Sequence, residues 1–103
     1  MKGKSRTKAA KEFHDELCRV VGCIACRIDG HFNDYVSIHH IDGRTRPGAH
    51  FAVLPLCAGH HQAGTGNDQN MIAIHPDKAR FEAKYGTQTE LLQLCIDILR
   101  RDK

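Results

Sequence analysis

The chain has 103 residues, of which 41% are hydrophobic, 26% charged and only 6% aromatic, with no Trp and a net charge of +3. That balance suits a single small domain with a thin core and is too apolar for a disordered chain. No apolar run approaches the ~20 residues of a membrane span, and the start MKGKSRTKAAKEF lacks the apolar stretch of a secretory signal, so a cytoplasmic setting away from membranes is expected.

The first eleven residues carry Lys2, Lys4, Arg6, Lys8 and Lys11 without an acid. They read as a basic, flexible tail suited to phosphate contacts, the alternative being a solvated, frayed end. Ala10, Phe13, Leu17 and Val20/Val21 recur at three- and four-residue spacing, which predicts a helix over about Thr7–Val21. Thr7 can cap it, Gly22 can stop it, and Cys18 near its apolar face reads as packing. Gly22–Arg27 reads as a turn carrying Cys23 and Cys26. The alternating Tyr35–Ile41 predicts a strand, Asp42–Gly48 a turn-rich loop, and Phe51–Leu56 a second strand with Pro55 at an edge or end. Gly64–Gln69 reads as another loop. Pro76 is expected at the first position of a short helix that holds Phe81 and Tyr85 and stops at Gly86. Thr87 and Glu90 form a T-x-x-E capping box for a last helix, with Leu91, Leu92, Cys95, Ile98 and Leu99 on its apolar face. Cys95 is therefore expected to be a core thiol, and Arg100, Arg101 and Lys103 sit where the helix dipole favours cations. Strands followed by helices predict an α+β domain over residues 1–103: a tail over 1–11, a metal-pinned core over 20–65 and helices over 76–101.

Five Cys cannot pair fully as disulfides, and together with eight His they suggest reduced thiols and a metal staple. Cys23-Ile24-Ala25-Cys26 is a C-x-x-C pair, and 31 residues after Cys26 comes Cys57-Ala58-Gly59-His60, a C-x-x-H pair. Two turns of this kind can close a tetrahedron of thiolates and imidazole around Zn²⁺. Such a site contributes on the order of 10 kcal/mol to folding. Cys23, Cys26 and Cys57 are the expected thiolates. His60 fits the fourth position, with His61 and His31 as alternatives. The rivals are a redox C-x-x-C, which normally opens a helix in a βαβ unit absent from this pattern, and unrelated buried thiols.

The doublet His39-His40 ends the first predicted strand and precedes a basic loop containing Arg44 and Arg46. Two adjacent imidazoles there are unusual for packing. Successive strand residues face opposite sides, so both rings can serve one site only if the strand ends or bulges at the doublet. The Asp42-Gly43 turn allows this.

Cys23-x-x-Cys26, His39-His40-Ile41 and Leu56-Cys57-x-x-His60-His61, in this order, resemble the HNH (His-Me finger) endonucleases. The segments PLCAGHHQ, Ile74-His75-Pro76 and FEAKYGTQ are further similar to the phage recombination-enhancement (Ref) nucleases, RecA-dependent members of that superfamily. The resemblance implies a ββα-metal domain with a structural zinc knuckle, a DNA substrate and a RecA-type filament as partner. It puts His40 on the general base, and His39 and His61 on ligands of a catalytic divalent ion (Mg²⁺, Mn²⁺ or Zn²⁺). His75 becomes a further ligand, or else simply a helix-start histidine. The position of the family's middle Asn is Ala52, which leaves His50 or Asn67 to anchor the loop. Arg44 and Arg46, with Lys4, Arg6 and Lys8, would contact DNA. An imidazole-only shell favours Zn²⁺, Ni²⁺ or Mn²⁺ over Mg²⁺ unless Asp42 supplies an oxygen. The competing class is a non-catalytic zinc module that binds nucleic acid.

Overall fold

In a computed structural model, which describes residues 6–43, 48–62 and 72–102, Thr7 caps the first helix as expected. Its Oγ1 accepts from the Ala10 amide at 3.1 Å. Helix α1 covers Lys8–Glu16 and widens into a π-helical turn, Leu17–Val21, where the Gly22 amide reaches back to the Leu17 carbonyl. Leu17 and Val21 are fully buried, so the widened turn keeps the predicted stripe against the core. Gly22 has φ +68°, and a Cβ there would meet the Asn33 carbonyl oxygen at 2.6 Å; only glycine permits that approach. The same oxygen accepts from the Cys23 amide at 2.7 Å. Cys23 is thereby fixed at the start of α2 (Ile24–Ile28), so the expected turn over Gly22–Arg27 is partly one short helix.

Strands β1 (Val36–His40) and β2 (Val53–Cys57) pair antiparallel, with Val36 opposite Cys57 and His40 opposite Val53. Phe51, expected in the second strand, lies instead in a 3₁₀ turn, Ala49–Phe51, that follows a left-handed Gly48 at φ +75°. The turn lets Phe51 stack near Phe13, their rings 5.6 Å apart. Pro55 stands on an edge strand, one of the two expected placements, at its middle rather than its end. The Ile41 amide donates to the Ala52 carbonyl, so with this register Pro55 faces Ile38 at a non-hydrogen-bonded position. Its missing N–H therefore breaks no ladder bond. Every residue of β2 is buried between β1, α2, the π-helical turn and the later helices.

Helix α3 (Ala58–His61) follows β2 directly. Segment α4 (Ile74–Tyr85) begins irregularly, with non-helical backbone at His75 (φ −113°, ψ 111°) and Asp77 (φ −95°, ψ 49°). His75 is extended because it forms a lone parallel bridge with Gln62. Regular turns start only past Asp77, so Pro76 does not open the helix as expected. Gly86, at φ +114°, ends the segment. The capping box is formed: Glu90 Oε1 accepts from the Thr87 amide at 2.8 Å, and Thr87 Oγ1 accepts from the Glu90 amide at 3.1 Å. Helix α5 (Gln88–Asp102) buries Leu91, Cys95, Ile98 and Leu99 against β2 and the π-helical turn. The result is a small α+β domain with a two-stranded sheet and surrounding helices. Among the described residues no helix is long and apolar enough to cross a membrane. The predicted loop over 64–69 lies outside the described residues.

Candidate active site

Four predicted ligands meet where α2, β2 and α3 converge. Cys23 caps α2, and its Sγ accepts from the Cys26 amide at 3.4 Å, so the C-x-x-C turn curls both thiols to one side. Cys57 ends β2, and His60 lies one helical turn on. His60 Nδ1 is 3.5 Å from Cys23 Sγ, 3.5 Å from Cys26 Sγ and 3.2 Å from Cys57 Sγ, and Cys26 and Cys57 are 3.7 Å apart. Bonds of about 2.3 Å to sulfur and 2.0–2.1 Å to nitrogen put tetrahedral donors about 3.3–3.8 Å apart. The buried set therefore fits a zinc-sized ion and could hold one. His60, and neither His61 nor the exposed His31, joins the three Cys. Burial pushes the Cys23 and Cys26 thiols above their ordinary range, and in Cys26 the neighbouring thiols add to it. Cys95 belongs to none of these ligands and is buried in the same core, where burial pushes it up to about 12. Behind His60, its Nε2–H donates to Tyr85 Oη at 3.1 Å, and Tyr85 donates to Asp29 Oδ2 at 2.7 Å.

Two further histidine groups share one cleft. A cavity of about 450 Å³ is lined by Arg6, His14, Ile38, His39, His40, His61 and His75. On one side the His39 ring lies 5.3 Å from that of His61 and 5.1 Å from that of His75, and the last two are 5.5 Å apart. One ring nitrogen from each lies within 4.8 Å of the others, so the three could hold a metal ion. His39 Nε2–H donates to Gln88 Oε1 at 2.7 Å, which turns Nδ1 away from Gln88. Ser37, two residues earlier on the same strand face, hydrogen-bonds His61 Nδ1 at 2.8 Å. Burial is the main cause that holds the His39 and His61 pKa values below the ordinary range. Both rings are thus kept in the neutral form that ligates metal.

The alternation of β1 sends His40 to a second group. His40 Nε2 and His50 Nδ1 share a hydrogen bond at 3.0 Å. His14 Nε2–H donates to the His50 carbonyl at 2.6 Å, and Arg6 Nη1 donates to His14 Nδ1 at 3.1 Å. Burial, followed by smaller effects that include the Arg6 charge, lowers the His14 pKa. The doublet therefore does not point to one spot, but both rings border one cleft.

Of the basic residues singled out, Arg6 lines this cleft and Lys8 is exposed on α1. Lys4, Arg44, Arg46 and Asn67 lie outside the described residues. Asp42 is exposed just past β1 and belongs to none of the three groups. Ala52 follows the 3₁₀ turn that presents His50. Sequence reasoning missed His14, Ser37, Gln88, Tyr85 and Asp29. His14 was detectable, since it falls four residues after Ala10 and three before Leu17 on the buried stripe.

A family model described as "Recombination enhancement, RecA-dependent nuclease" matches residues 6–100. The chain is 29% identical over 97 residues to the uncharacterized protein YdfU of Escherichia coli (strain K12), an alignment covering 94% of this chain and 25% of YdfU. The chain thus spans about a quarter of the length of that curated relative.

Proposed function

Because the chain belongs to the recombination-enhancement, RecA-dependent nuclease family, we propose that it is a metal-dependent DNA endonuclease of the HNH type, acting with a RecA-type recombinase filament. The order β1, β2, α3, with the Cys–His cluster closing the hairpin onto the helix, supports a ββα-metal domain pinned by a structural zinc. The observation that carries the reading is the shared cleft, lined both by His40 and by a triad that could hold an ion.

In this reading His39, His61 and His75 hold the catalytic divalent ion, and Gln88 and Ser37 fix the orientation of the first two rings. When bound, such an ion polarises the scissile phosphate and stabilises the departing oxygen. His40 takes a proton from the attacking water, a task suited to an imidazole near neutral pH. His50 braces His40 through Nε2. Arg6 brings a cation to the cleft, and Lys4, Lys8, Arg44 and Arg46 complete the contacts to phosphates. Three imidazoles favour Zn²⁺ or Mn²⁺ over Mg²⁺. A module that only binds nucleic acid would leave the cleft triad and His40 without work.

The test is cleavage of single-stranded and duplex DNA, with and without RecA filaments, across Mg²⁺, Mn²⁺ and Zn²⁺. We expect metal-dependent cutting that His40→Ala lowers by about 10²–10⁴-fold while fold and zinc content persist. Absence of cutting under every condition, or undiminished cutting by His40→Ala, would overturn the reading.

A further inference from the structure

We propose that His14, His40 and His50 form a second transition-metal site, separate from both the Cys–His cluster and the His39–His61–His75 triad. One ring nitrogen from each of the three lies within 4.8 Å of the others. Their ring centroids are 5.1–6.0 Å apart, a spread close to that of the cleft triad.

The hydrogen-bond pattern is that of a site waiting for a cation. His40 Nε2 and His50 Nδ1 face each other at 3.0 Å, so two imidazole nitrogens compete for one bridging proton. Nitrogens on adjacent corners of a tetrahedral zinc shell lie about 3.3 Å apart, so an ion can replace that proton after a small relaxation. His14 already has the support that metal-ligating histidines use: its Nε2–H is donated to a backbone carbonyl, that of His50, at 2.6 Å. In this tautomer Nδ1 is the nitrogen that can take an ion. Nδ1 now accepts from Arg6 Nη1 at 3.1 Å. Arg6 is exposed and can withdraw, so a guanidinium occupies the place that the third ligand would offer to an ion. Only nitrogen donors are supplied, which selects Zn²⁺, Co²⁺, Ni²⁺ or Cu²⁺ and disfavours Mg²⁺ and Ca²⁺.

The site stands whether or not the protein cuts DNA. One consequence rests on the nuclease reading: an ion on His40 occupies the imidazole required as proton acceptor, so excess Zn²⁺ shuts off cleavage that a lower concentration sustains.

The probe is the metal alone. Zn²⁺ is titrated calorimetrically, and Co²⁺ by its visible absorbance, into protein whose Cys–His cluster is loaded. A His75→Ala background breaks the cleft triad. This protein should still bind one further equivalent, and adding His14→Gln should weaken that binding by more than about tenfold. Equal stoichiometry and affinity with and without His14→Gln overturns the site. Should His14→Gln fail to fold by circular dichroism, Arg6→Ala decides. It keeps all three imidazoles and removes the competing cation, so binding should tighten about two- to fivefold; unchanged or weaker binding overturns the proposal. Because binding is read directly, loss of the nuclease reading would appear as intact binding without cutting.

Discussion

His39 and His40 are consecutive in β1, yet the His39 ring packs 5.3 Å from that of His61 while His40 Nε2 is hydrogen-bonded to His50 at 3.0 Å. The strand's two-residue period divides the doublet between a triad and a relay, and the cleft brings them back together. The two residues should therefore fail in different ways. His39→Ala should raise the Mn²⁺ concentration needed for half-maximal cutting. His40→Ala should lower the plateau rate by about 10²–10⁴-fold and leave that concentration unchanged. Rates measured against Mn²⁺ concentration separate these outcomes, and rescue of His40→Ala by added metal would contradict the assignment.

Gln88 links helix capping to the triad. The Thr87–Glu90 box sets where α5 begins, and Gln88, buried beside it, accepts from His39 Nε2–H at 2.7 Å. Thr87→Ala should cost about 1 kcal/mol of stability, read from urea unfolding, because a cap is lost. Gln88→Ala should instead raise the metal concentration needed for half-maximal cutting by about 10–100-fold, since the ring of His39 loses its orienting acceptor. Equal effects of the two variants on metal dependence would mean that Gln88 acts only through the helix.

Local signals account for much of this fold, and tertiary contacts for what they left out. The Thr7 cap, the capping box and the apolar stripe of α5 depend on neighbours three or four residues away, so spacing alone exposes them. The C-x-x-C and C-x-x-H turns are legible for the same reason. The 3₁₀ turn at Phe51 escapes periodicity because Gly48 and the Phe13 ring decide it. The extended His75 escapes because its bridge partner, Gln62, lies thirteen residues back. His14 carries a correct helical position but no local mark of its partner, the His50 carbonyl 36 residues away. Tyr85, 25 residues after His60, and Gln88, 49 residues after His39, carry no local mark either.

Two buried histidines, His14 and His39, and the half-buried His61 give stability a defined pH dependence. Burial is the leading cause that lowers the pKa of His14, His39 and His61 in the folded chain. In the unfolded chain each titrates near its ordinary value of about 6.5. Below that pH the unfolded state binds more protons, so stability falls as pH falls, and above about pH 7 these groups contribute no slope. Urea midpoints at about pH 7.5, 6.5 and 5.5 should drop in that order, with a chelating dye confirming that zinc stays bound. His14→Gln, which keeps a donor for the His50 carbonyl, should flatten the slope. A midpoint that rises toward acid would contradict neutral burial of these rings.

The Cys–His cluster and the Tyr85–Asp29 pair behind it should be separable by graded substitution. On the structural-zinc reading, Cys57→Ser removes a thiolate from a site that would contribute on the order of 10 kcal/mol to folding, so the chain should lose zinc and unfold together. Tyr85→Phe acts one step further out. It leaves all four ligands but removes the oxygen that takes His60 Nε2–H at 3.1 Å, and the Asp29 carboxylate, 3.7 Å from that nitrogen, is too distant to replace it. A buried donor is then unmet, which costs about 1–3 kcal/mol. Zinc affinity, measured by competition with a chelator of known strength, should fall about 10–100-fold while the protein stays folded at saturating zinc. An unaltered affinity in Tyr85→Phe would show that the ring serves only as core packing beside Phe81, whose ring lies 4.9 Å away.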